Sequence, residues 1–452
     1  MTTPMLLALL IGAPLALTLA LFCLRDPLRF GLPVFAALIP FGERLSLAGS
    51  PFLSLGSLVG MLLGVGLLVQ VLVGRRTAAR LSPSVAIWLL FLAAAAASAL
   101  WSINGAASIS GIAVLGSLVL VYVLVAISPA DRTVLRRTEN GLLTGGVAVV
   151  CYGIVQLTLL GGFPNAKVIG AAPAAAATGR FGNDLLGPDI ESVTLLLPFV
   201  IAASRAFNES GVANRVKYAV VAALALFGIL MTGSRTGTLG FAVVLLALAW
   251  AGPRRARKGL LATFVVGLVI AGVVWAFHPG GIANRTFTSS TSSSGRVDIW
   301  KVGAAACTRY CGYGAGWGTF PDVYAATQAS VPGARVLVGA QGSYQAHDLW
   351  MLIGIELGLP GLLLYTAGLG LAVVEALRAP RDLRGPPFAA LAGLCVGVFF
   401  LSSMEFKFFW MVLILIAITR NLAEAEEAQT EPGSARVLGE RAGSLGVSAA
   451  GA

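Results

Sequence analysis

Three short segments of this chain set an arginine or a histidine among glycines and aromatic residues, the side chains that grip an anion and move a proton. In Gly233-Ser234-Arg235-Thr236-Gly237 the glycines allow backbone amides to face the same anion as the arginine. In Gly295-Arg296-Val297-Asp298-Ile299-Trp300 a helix would bring Arg296 and Trp300 onto one face, a cation beside an indole, suited to a phosphate and a sugar ring. In Ala346-His347-Asp348-Leu349-Trp350 the histidine is the better candidate base of only two in the chain. The other, in Phe277-His278-Pro279-Gly280, reads as a turn at a span exit facing headgroups. Each has a plainer reading beside it. Arg235 can snorkel to lipid headgroups, Arg296 can form a surface pair with Asp298 over a buried Trp300, and a lone interfacial histidine is often structural. A fourth polar cluster runs from Arg180-Phe181-Gly182 to Pro188-Asp189, and Glu356 is an intramembrane carboxylate. At 100° per residue along one helix, Glu356 faces away from His347, which argues against pairing them.

What must position these residues is a membrane. Hydrophobic residues make up 57% of the 452 and charged residues 11%, too apolar for a soluble domain of this length. Phe52–Val73, Val85–Leu100, Gly141–Leu160, Leu260–Phe277 and Leu359–Val374 are apolar runs long enough to cross a hydrocarbon core of ~30 Å as helices. None alternates as a membrane β-barrel strand does. The expectation is an all-α polytopic transmembrane bundle of 12–13 spans. The uncertain span is Phe30–Phe41, short enough to be re-entrant. Met5–Phe22 lacks a basic flank and a cleavage site, and reads as a retained helix.

The net charge of +11 follows topology, not nucleic acid. Eighteen of the 31 Lys and Arg fall on six alternate short connections, from Arg25 and Arg29 to Arg378, Arg381 and Arg384. Such residues mark cytoplasmic loops. Alternation then places Trp101–Ser108, Gly161–Pro188, Thr232–Thr236 and a large loop over residues 278–346 on the outer side. Arg235 lies about 27 Å from the basic anchors Lys217 and Arg254, at the outer edge of the bilayer. Residues 1–420 form one membrane domain, and 421–452 an acidic, then Gly/Ser/Ala-rich cytoplasmic tail that reads as disordered. Within the large loop, Gly312-Tyr313-Gly314-Ala315-Gly316-Trp317-Gly318 favours tight turns or close backbone approach to a ligand. Cys307 and Cys311 lie there too, bridged or free; a bridge would suit them if the backbone left regular helix geometry. With two histidines and no paired CxxC, a zinc site is not expected, nor any cofactor.

Taken in order, these segments resemble the O-antigen ligase and O-antigen polymerase superfamily of membrane glycosyltransferases. Arg180-Phe181-Gly182 to Pro188-Asp189 is similar to its entry to a span, and Ser234-Arg235-Thr236-Gly237 to its Ser-Arg-x-Gly motif. Gly295-Arg296 to Trp300, with the glycine run through Thr319-Phe320, is similar to its loop signature. Ala346-His347-Asp348, followed by Glu356-Leu357-Gly358-Leu359-Pro360-Gly361, resembles its span-entry segment, with Asp189 and Asp348 standing where Asn is commoner.

The resemblance implies metal-independent transfer of a glycan from an undecaprenyl-diphosphate donor in the bacterial inner membrane, on the periplasmic or outer side. Arg235 and Arg296 would stabilise the leaving diphosphate, and His347 would serve the attacking hydroxyl. Arg180, Trp300, Ser234 and Asp348 are the candidate substrate contacts. The acceptor is another lipid-linked glycan (polymerase, the preferred reading) or lipid A-core (ligase), with membrane lipid and other polysaccharide-assembly proteins as further partners and no nucleic acid. The rival class is a polysaccharide or lipid-linked sugar transporter. It predicts charges near the midplane and repeat symmetry, neither of which the sequence displays.

Overall fold

In the computed structural model the described residues are 17–42, 54–74, 81–160, 181–182, 187–252, 257–261, 265, 269, 296–334, 345–402 and 404–430. Arg180, His278, the Ser/Thr run, most of the span expected at Leu260–Phe277 and the end of the tail lie outside them. A helical segment at 17–25 precedes α1 (Pro27–Phe41), α2 (Leu55–Leu72), α3 (Pro83–Ser98), α4 (Gly105–Ala126) and α5 (Arg132–Leu160). Then come α6 (Pro188–Asn208), α7 (Val212–Met231), α8 (Arg235–Ala251), α9 (Arg296–Tyr310) and α10 (Phe320–Thr327). The last four are α11 (Leu349–Glu356), α12 (Gly358–Arg378), α13 (Arg381–Val398) and α14 (Lys407–Thr430). Among the described residues seven helices, α2, α4, α5, α6, α7, α12 and α14, are long and apolar enough to cross a membrane, and α1, α3 and α8 are shorter apolar helices. The protein is an all-α, multi-pass membrane protein.

The helix starts are written in the sequence. Ser54, Ser82, Asn104, Ser234 and Asp348 each accept a hydrogen bond from the backbone N–H three residues on, opening α2, α3, α4, α8 and α11. Such caps satisfy donors that lipid could not. In α6 and α14, 83% of the apolar window is buried, against 17% in α7, so α6 and α14 form the centre and α7 faces outward. Gly141 and Gly145, one turn apart on α5, lie directly against the backbone carbonyls of Pro33 and Ala37, where any Cβ would collide. This small-residue stripe lets α1 pack backbone to backbone along α5.

One end of the bundle carries ion pairs: Arg29 with Asp131 at 2.8 Å, Arg205 with Glu139, Arg132 with Glu426 at 2.7 Å and Arg420 with Glu375 at 3.4 Å. Here α14 continues through Glu424, Glu426 and Glu427 to Thr430, so the acidic start of the tail is helical. Glu426 is held by Arg132 and Glu424 by Arg420. At the other end α9, α10 and α11 form an outer layer with its own small core, including Ile299, Val302, Phe320, Tyr324 and Ile355. Cys307 and Cys311 are bridged at the end of α9, while the Cys311 N–H still donates to the Cys307 carbonyl at 3.0 Å. The bridge closes on a last helical turn without the departure from helix geometry expected of it.

Candidate active site

Asp189 lies in the first turn of α6, and Arg296 opens α9. The two meet across the boundary between bundle and outer layer, with Nη2 of Arg296 donating to Oδ2 of Asp189 at 2.6 Å. Asp298, the partner in the plainer reading, is buried at 6% exposure. As the helical spacing predicts, Trp300 follows Arg296 on one face of α9. Its Nε1 donates to the carbonyl of Ala346 at 3.2 Å, so the indole holds the residue before His347.

His347 has φ of 50°, left-handed space that is uncommon for a residue with a Cβ. Its neighbours hold it there. Its N–H donates to Ser402 Oγ at 3.1 Å, Trp300 fixes Ala346, and Asp348 on the other side caps α11 by accepting from Met351 N–H at 3.0 Å. The imidazole Nδ1 is buried and has no hydrogen-bond partner. Burial, and then the Arg296 guanidinium, push the imidazole down to about 4, opposed by Asp189. At neutral pH it is therefore an uncharged base. Burial also raises the carboxyl of Asp348 above the usual carboxylate range, against the N–H groups of Met351 and Trp350 that favour its ionised form.

Arg235 is exposed at the start of α8, and Ser234 before it is buried as the helix cap, accepting from Gly237 N–H at 3.2 Å. Gly237 lies against Ser192, whose hydroxyl donates to the Asp189 carbonyl at 2.7 Å. Arg235 therefore stands on the helix beside α6, about level with the Asp189–Arg296 pair. Of the seven residues singled out from sequence, Arg296, Trp300, His347 and Asp348 come together, Arg235 and Ser234 adjoin them on α8, and Arg180 lies outside the described residues. Asp189, named from sequence only within the fourth polar cluster and given no role, and Ser402 are the further members. Asp189 carried a signal, a carboxylate one residue after a helix-opening Pro188; Ser402 carried none. At the same end, the end of α1, the first turns of α6 and the start of α14 line a small open pocket with Glu191, Thr194, Glu405 and Lys407 among apolar residues.

The glycine run approaches the chain itself. Its backbone N–H groups at Ala315 and Gly316 donate to the carbonyls of Ile355 and Glu356, each at 2.9 Å. The Glu356 carboxylate accepts from Gly318 and Phe320 N–H, also at 2.9 Å each. Trp317, between those glycines, is 1% exposed, donates from its backbone to Ser98 Oγ and accepts from Ser108 Oγ. The signature is a clasp that fastens the outer layer to α11 and to the α3–α4 connection. Glu356 thus works on the loop. It does not share one continuous helix with His347, as the 100° spacing assumed, since α11 begins only at Leu349.

No group of three or more His, Cys, Asp or Glu among the described residues is arranged to hold a metal ion. A comparison with curated proteins finds no match. Residues 220–366, about a third of the chain and the stretch that holds Arg235, Arg296, the clasp and His347, match the family model described as O-antigen ligase. Over that stretch, which holds its motif-bearing residues, this multi-pass membrane protein is similar to the O-antigen ligases.

Proposed function

We propose that the protein transfers a glycan from an undecaprenyl-diphosphate donor to a sugar hydroxyl in surface polysaccharide assembly. The observation that carries this reading is the juxtaposition of an uncharged, backbone-pinned His347 with Arg296, at the end of the bundle where Arg235 also stands. The donor's leaving group is a lipid diphosphate. Arginines placed at its developing charge stabilise the transition state most strongly where water is scarce. His347 accepts the proton of the attacking hydroxyl, a task for which the neutral imidazole is required. The reading assigns charge neutralisation to guanidinium groups and calls for no metal or cofactor. Trp300 and Asp348 serve by holding the two sides of His347, and Ser234 by starting the helix that presents Arg235.

Of the two acceptors, a second lipid-linked glycan is preferred over lipid A-core, since the polymerase reading requires no lipopolysaccharide. The Cys307–Cys311 bridge supports an oxidising, extracytoplasmic setting for this end. The experiment is a reconstituted assay with purified protein, undecaprenyl-diphosphate oligosaccharide and EDTA, following glycan lengthening and release of undecaprenyl diphosphate. Longer lipid-linked products that vanish in Arg296→Ala and His347→Asn support a metal-independent polymerase. Turnover only on adding lipid A-core identifies a ligase. No turnover with either acceptor, or full activity in both variants, sinks the assignment and favours a transporter.

A further inference from the structure

Arg296, the arginine assigned above to the donor diphosphate, is already bonded to a carboxylate. We propose that Asp189 occupies the anion-binding side of Arg296 until the donor arrives, and that the donor diphosphate displaces it on binding. The inference rests on the functional reading above and adds to it a competing residue and a sign for its effect.

The geometry supports exchange in preference to a fixed strut. The pair is short, Nη2 to Oδ2 at 2.6 Å, yet the two side chains remain 22% and 25% exposed, at a water-accessible seam and not in the core. Its members come from different layers, Asp189 from α6 of the bundle and Arg296 from α9 of the outer layer. Carboxylate and phosphate oxygens present the same kind of acceptor to a guanidinium, so one can replace the other without moving the arginine's backbone. α9 stays in register meanwhile, because Trp300 on the same face is bonded to Ala346 and the clasp holds the far end. Asp189 also has somewhere to leave its charge. It sits in the first turn of α6, a helix of 21 residues whose N-cap, Gly187, has no side chain to offer, and a negative charge is favoured there.

A placeholder of this kind has a use. An arginine ready for a diphosphate, left bare at this seam, would draw any passing anion or lipid headgroup. Asp189 sets a threshold that a diphosphate with its two anionic groups passes and a single weak anion does not. No bond is made or broken in the step beyond these hydrogen bonds.

The sign of the Asp189 effect tests the idea. Binding of undecaprenyl diphosphate to the purified full chain in nanodiscs would be measured for wild type, Asp189→Asn, Asp189→Ser, Arg296→Gln and Asp189→Asn combined with Arg296→Gln, each with its melting temperature. Exchange predicts that Asp189→Asn and Asp189→Ser tighten binding about two- to fivefold, the range expected for removing a partly exposed ion pair. It predicts weaker binding in Arg296→Gln and no further effect of Asp189→Asn in that background. Asp189 variants that melt like wild type but bind equally or more weakly overturn the exchange while leaving the functional reading intact. An Asp189 effect that survives loss of Arg296 overturns it in the same way. A wild type that binds no lipid diphosphate ends both.

Discussion

His347 combines two demands on one residue, a left-handed backbone and an uncharged ring, and they are separable by substitution. Asn tolerates φ near 50° far better than Ala does. His347→Asn therefore keeps the turn into α11 while removing the base. The expected result is a melting temperature close to wild type with turnover lowered about 10²- to 10⁴-fold, the usual contribution of general base catalysis. His347→Ala would lose turnover and also soften the turn. The pH dependence follows from the same ring. With the imidazole pushed down to about 4, its base form persists from neutral pH to about pH 5, and turnover falls as pH approaches 4. For stability the sign is set by proton uptake. Between the ordinary value of 6.5 and about 4 the unfolded chain binds the proton that the folded chain refuses, so stability declines as pH falls through that window. Thermal melts from pH 7 to pH 4 should show this decline in wild type and a shallower one in His347→Asn.

Among the elements, the clasp and the break between α11 and α12 place the histidine. Gly358 has φ of 67°, and a Cβ on it would lie 2.7 Å from the Gly312 carbonyl oxygen. Gly358→Ala is expected to cost about 1–3 kcal/mol through strained backbone, the range for such positions, and to lower the melting temperature without touching the imidazole. If Gly358→Ala melts like wild type, the clasp is not what fixes the break. Spans were legible where apolar runs are long, because such runs are local signals: Val85–Leu100 in the sequence is α3, Pro83–Ser98, in space. Arg296 and Trp300 were legible as one face of a helix. Their partners, Asp189 and the Ala346 carbonyl, were not, since each bond joins residues far apart in the chain. The glycine run showed that backbone approaches something closely; only the fold shows that it approaches Ile355 and Glu356. Glu356 was rightly kept apart from His347, but on a premise the fold does not keep, because periodicity carries a helix backward through His347 when nothing in the residue types marks the left-handed turn.

At the scale of the whole molecule, the two ends of the bundle carry different charged groups. One end holds the pairs of Arg29 with Asp131, Arg205 with Glu139, Arg132 with Glu426 and Arg420 with Glu375. The opposite end holds Arg235, Arg296 and His347 beside the outer layer and its bridge. The proposed orientation sets the first end in the cytoplasm, on the positive-inside distribution of the short loops, and the second in an oxidising setting that suits the bridge. Two exposed positions report on this directly. Tyr313, in the clasp, is 64% exposed, and the side chain of Glu424, on the last turns of α14, is 63% exposed. In intact cells a membrane-impermeant maleimide should label Tyr313→Cys, whereas Glu424→Cys should react only after permeabilisation, with the parent chain as control for its own cysteines. Labelling of Glu424→Cys alone in intact cells would invert the topology. It would set the arginines and His347 against the cytoplasm, where a lipid-linked glycan awaiting export would be the substrate, and the transporter would become the better reading.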